Sequence, residues 1–106
     1  MAAEWASARR EFVRRAGFSL MAGLAAKTNA APDAAFEALL PLIHGAATDQ
    51  RDMVKKAVNW ALRAIGKRNP HLCSAAIAAA GNIQAIDSPA ARWIASDALR
   101  ELRAVK

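Results

Sequence analysis

Tyrosine is absent from these 106 residues, histidine occurs twice and cysteine once, and there are only nine acidic side chains. Each shortage excludes something. A lone thiol, Cys73, cannot close an internal disulfide, which suits a reducing compartment. His71 and Cys73 lie two apart with no second ligand pair, and His44 stands alone, so no metal or cofactor site is expected. There is no glycine-rich phosphate loop, no Ser-His-Asp set and no isolated pair of carboxylates on one helix face. Asp97 and Glu101 are four apart but interleaved with Arg100 and Arg103, the pattern of a solvated face. Arg9, Arg10, Arg14 and Arg15 interrupt the N-terminal apolar stretch and later runs are short, so no membrane span is expected; the chain reads as soluble and cytoplasmic.

What remains is alanine-rich, 55% hydrophobic and poor in β-branched runs, with apolar residues recurring at three and four rather than two. That spacing predicts an all-α protein, and a chain of this length forms one domain over 1–106. Fifteen Lys and Arg give a net charge of +6, which favours a polyanionic partner.

The most informative segment is Asp52 to Pro70. At about 100° per residue, Val54, Ala57, Val58, Ala61, Leu62 and Ile65 form one apolar stripe. Trp60 falls about 120° away from its centre, among Met53, Lys56, Arg63 and Lys67. A large ring set among cations suits nucleic acid, the cations meeting phosphates without reading sequence. Arg68 belongs to the same set, although Lys67 and Arg68 at a helix end also offset the helix dipole. On the preceding long helix Arg15 shares a strip with Ser19, Ala22 and Ala26, small neighbours that would leave the guanidinium in a shallow groove. Arg14 falls instead near Phe18 and Met21, where its stem would lie over apolar surface with the charge turned outward.

Two blocks carry a family resemblance. Lys56-Ala57-Val58-Asn59-Trp60-Ala61-Leu62-Arg63, followed by Lys67-Arg68-Asn69-Pro70, resembles the C-terminal signature of the bacterial DNA alkylation repair enzymes, and Phe12-Val13-Arg14-Arg15-Ala16 is similar to that family's aromatic-x-Arg-Arg-x-Ala stretch. The resemblance spans Glu11 to Pro70 and then fades. It implies a DNA contact beside the lesion for Arg15 and packing against the DNA backbone for Trp60. It also implies an acidic residue and a further Trp well upstream of the Arg-Arg block, which excising members share. Glu4 and Trp5 are too close to Arg15 to be that pair, so the chain is expected to correspond to the C-terminal half of the family architecture and to bind duplex DNA, alkylated or not, without excising bases alone.

The predicted elements are a lead-in over Trp5 to Arg10 and a helix from Glu11 to Lys27 ended by Thr28-Asn29. Next comes a helix from Pro32 through Ile43 kinked at Pro41, then one capped by Thr48 or Asp49 that runs to Lys67 or Arg68. Asn69-Pro70 opens a fourth, broken at Gly81-Asn82 with Ile83 to Ile86 as a turn or loop, and Ser88-Pro89 opens a last helix over Ala90 to Arg103. Antiparallel hairpins of such helices, four to six in all, would stack as HEAT-like repeats in an α-solenoid fragment; a four- or five-helix bundle is the alternative. The first long helix has two apolar faces, one with Phe12, Val13, Ala16, Leu20 and Leu24, the other with Phe18, Met21 and Ala25. A different functional class therefore stands beside DNA binding: a self-association or interaction module whose open edge is Phe18 and Met21, meeting a second copy or a missing N-terminal half.

Overall fold

The computed structural model describes residues 11–27 and 32–104, and every regular element among them is helical. In chain order these are α1 (Glu11–Lys27), α2 (Asp33–Glu37), α3 (Leu40–Ala46), α4 (Asp52–Gly66), α5 (Pro70–Gln84) and α6 (Pro89–Arg103). The lead-in expected over Trp5 to Arg10 and the Thr28-Asn29 stop lie outside the described residues.

Helices α1, α4 and α6 lie side by side and run the same way. Arg15 and Ser19 on α1 face Met53 and Lys56 near the start of α4, while Arg68, just past its end, reaches the carbonyl of Ala25. Likewise Asn59 meets Ile94, and Arg63 and Lys67 meet Glu101 further along. Helices α3 and α5 pack against this row, so the fold is two helices thick, 17 Å in its shortest dimension.

Helix α4 is the centre of the molecule because its apolar stripe is complete. Val54, Ala57, Val58, Ala61, Leu62 and Ile65 are all buried, against α1 on one side and α5 and α6 on the other. Gly66 continues the seam. A Cβ there would come within 2.5 Å of Leu102 Cδ2 and 3.0 Å of Ala76 Cβ, so glycine is what lets α4, α5 and α6 close on one another.

Two starts behave as their cap residues predict. Asn69 accepts a hydrogen bond from the Leu72 amide at 2.8 Å, and Ser88 accepts one from Ala91, each followed by proline in the first turn. Three boundaries differ from expectation. The Pro32–Ile43 helix is not kinked but divided into α2 and α3, which leaves Pro41 in a first turn where its missing N–H costs nothing. Helix α4 begins after Arg51 rather than after Thr48 or Asp49, because the Asp49 carboxylate is taken by the Arg51 amide and guanidinium. Helix α5 runs through Gly81-Asn82, since both side positions face solvent and the buried Ile83 holds the next turn.

The expected open edge is corrected. Phe18 and Met21 are fully buried, because that face of α1 is the one packed on α4; the opposite face leaves Leu20 and Leu24 exposed.

Candidate functional site

A row of parallel helices leaves a groove on each side of α4. The groove between α1 and α4 opens into a cavity of about 420 Å³ lined by Arg15, Ala16, Ser19, Met53, Lys56, Ala57 and Trp60. Its floor is small side chains, Ala16, Ser19 and Ala57. Its walls are one aromatic ring, one thioether and two cations. Trp60 is 44% exposed and Met53 47%, while the α4 residues one turn further round are in the core. In an 11.3 kDa chain with three tryptophans, leaving one ring so open forgoes burial of a large apolar surface. Trp60 and Lys56 are four apart on α4, and no carboxylate among the described residues pairs with Lys56. Among the described residues the lining contains no acid.

Three of the expected DNA contacts, Arg15 from α1 and Lys56 and Trp60 from α4, are thus neighbours. Ser19 joins them as predicted, but Ala22 is buried and Ala16 takes its place in the strip.

The other cations of α4 are engaged elsewhere. Arg63 donates from Nη1 to Glu101 Oε2 at 2.6 Å and from Nε to Asn59 Oδ1 at 2.8 Å, with Asp97 at 3.8 Å. Lys67 pairs with the other oxygen of Glu101. The Lys67 ammonium, then the Arg63 guanidinium, hold the Glu101 carboxyl below the usual carboxylate range. Arg63 and Lys67 therefore do not line the cavity, and the acids expected to be a solvated face are what holds them. Arg68 turns inward: its Nη1 donates to the Ala25 carbonyl at 2.8 Å and its guanidinium lies 4.1 Å from the centre of the Phe36 ring. Arg14 does not snorkel; it donates to Asp49 Oδ2 at 3.0 Å.

Two roles escaped the sequence. Asn59, inside the Asn-Trp pair of the conspicuous segment, is buried and donates to the Ile94 carbonyl at 3.2 Å, so it fastens α6 to α4 while aiming Arg63. Asp49, a candidate cap, is instead a hub for Arg51 and Arg14, and these contacts, the Arg51 side chain first, lower its pKa to about 2. Each role has a local half, Arg51 two residues from Asp49 and Arg63 four from Asn59, and a distant half 35 residues away that spacing along one helix does not show.

Residues 1–102 match the family described as DNA alkylation repair enzyme. The chain belongs to the DNA alkylation repair enzyme family. The match continues past Pro70, where the motif resemblance fades, and takes in α5 and α6, so the two-layer helical arrangement as a whole is consistent with the helical fold of the DNA alkylation repair family. No curated protein and no solved structure matches the chain significantly. Among the described residues no helix is long and apolar enough to cross a membrane, and no cluster of three metal-ligating side chains occurs.

Proposed function

We propose that this chain is a cytoplasmic duplex-DNA-binding member of the DNA alkylation repair family that holds the DNA backbone in the α1/α4 groove and does not itself excise bases. The observation that carries the reading is the exposed Trp60 ring set between Lys56 and Arg15 over a floor of small side chains. Lys56 and Arg15 supply charge-assisted contacts to phosphate oxygens, and the ring supplies a flat apolar surface for sugar or base. A base alkylated at purine N3 or N7 carries positive charge, which cations alone would repel; the face of Trp60 offsets that repulsion. Excision needs more. As the base leaves, positive charge develops on the sugar, and a carboxylate would stabilise it or position water. None of the described residues that line the groove carries one.

The test is binding of the purified chain to a duplex, with and without a 7-alkylguanine analogue, across a salt series. Affinity that falls steeply with salt, and about tenfold losses in Lys56→Ala and Trp60→Ala, is the expected result. Binding that is absent at low salt, or unchanged in both variants, overturns the proposal; release of alkylated bases by the purified chain overturns its second half.

Self-association is the second reading, and the exposed pair Leu20 and Leu24, four apart on the outward face of α1, is the observation behind it. A sedimentation coefficient that rises with concentration in the wild type and not in Leu24→Asp would favour it, and a concentration-independent monomer would remove it.

A further inference from the structure

Trp60 is not the only large ring left open on the layer. Trp93, in the second turn of α6, is 41% exposed, and the Lys55 ammonium lies 5.1 Å from the centre of its ring. Lys55 and Lys56 are adjacent in sequence and therefore leave α4 on different sides, Lys56 into the groove with α1 and Lys55 toward α6. Each flank of α4 thus pairs one of its lysines with an exposed tryptophan.

The two aromatic sites are joined across the surface. Arg63 is one turn on from Trp60, it reaches Asp97 at 3.8 Å, and Asp97 is one turn on from Trp93 with Arg100 beyond it. Neighbouring packed helices lie about 8–10 Å apart, a step of about two to three nucleotides along a strand. Beside the Trp93 ring, the carboxylate that Lys55 meets among the described residues is Asp52 at 3.5 Å, which is 77% exposed, and such a surface pair is readily exchanged for phosphate.

We infer that Trp93 and Lys55 form a second DNA-backbone contact, one groove along the layer from Trp60, so that a duplex crosses α4 and is held on both sides of it. This rests on the α1/α4 groove being a DNA site. The role is grip rather than chemistry: Lys55 leaves Asp52 for a phosphate, and the Trp93 ring it uncovers packs on the adjoining sugar.

The experiment measures affinity of the full chain for a longer and a shorter unmodified duplex, for Trp93→Ala, Lys55→Gln, Trp60→Ala and Lys56→Ala, with circular dichroism and thermal melting on each. The expected result is a loss of about fivefold to tenfold for Trp93→Ala on the longer duplex. Lys55→Gln, which leaves the ring and the packing in place, should lower the salt slope by about one unit. Both penalties should disappear on a duplex too short to cross α4. If Trp60→Ala and Lys56→Ala weaken binding while Trp93→Ala and Lys55→Gln do not, this inference is wrong and the α1/α4 groove stands. If none of the four weakens binding, the failure lies in the groove itself. Equal penalties on both duplexes, or altered sedimentation of the DNA-free chain with unchanged DNA affinity, would also overturn it, the last in favour of contact between two copies.

Discussion

The two flanks of α4 are built from the same kinds of residue and end up electrically different. On the α1 side Lys56 stands beside Trp60 with small uncharged side chains beneath. On the α6 side Arg63 and Lys67 find Glu101 and Asp97, and the charges cancel where they meet. A cation's place on a helix says which way it leaves; the neighbouring helix decides whether it is free to meet a partner. The same contrast extends to fastening. The α6 flank is fastened by a buried amide and a glycine contact, whereas the α1 flank is fastened by Phe18 and Met21 and by Arg68 on the Ala25 carbonyl, and opens into the cavity over small side chains.

The largest way to break that contrast is at Gly66. Gly66→Leu would drive a side chain into Leu102 and Ala76 and should cost about 3 kcal/mol, read as a fall in melting temperature. Next is Asn59→Ala, which removes the hydrogen bond to the Ile94 carbonyl and the acceptor that steadies Arg63; about 2 kcal/mol of stability should be lost, measured by urea unfolding.

Acid probes the hub at the edge of the row. Asp49 has a folded pKa lowered from 3.8 to about 2, so its contribution is present above pH 3.8 and is lost as pH falls toward 2. At most about 2 kcal/mol should disappear over that window, and Asp49→Asn should be less stable at neutral pH with a flatter acid limb. A wild type and variant with identical acid limbs would discard the hub.

Charge removal on the α6 flank tests the electrical half of the contrast. Glu101→Gln releases Arg63 and Lys67 and should tighten duplex binding about threefold while steepening the salt slope by about one unit. The smallest expected change is Asp52→Asn, which unties Lys55 and should tighten binding about twofold, with no effect on the melting temperature beyond the range of a surface substitution.

How far the sequence was legible follows from the range of each interaction. The stripe of α4, the Asn69-Pro70 and Ser88-Pro89 starts and the outward placing of Trp60 are decided within one or two turns, and the spacing shows them. The convergence of Arg15, Lys56 and Trp60 could be anticipated because the two helices were placed by their own periodicity and a family order of blocks. What failed needed a third helix. Phe18 and Met21 looked like an edge because α1 has two apolar faces, and nothing local says which face α4 takes. Arg63 and Lys67 looked available because Glu101 is 34 residues beyond Lys67. Trp93 sits on a helix whose pattern is otherwise ordinary, and its meeting with Lys55 depends on how α6 packs on α4.

Among the larger Leu and Ile side chains of α4, α5 and α6 lie Ala61, Ala76, Ala80, Ala91, Ala95 and Ala98, all buried. A methyl group has no rotamers to freeze and none to exchange, so these alanines give up little disorder when the helices close on one another. A double helix held at both rings, as proposed, would meet close-packed alanines that have no rotamers to rearrange, and part of the adjustment would then fall on the DNA, whose cost of deformation depends on its sequence.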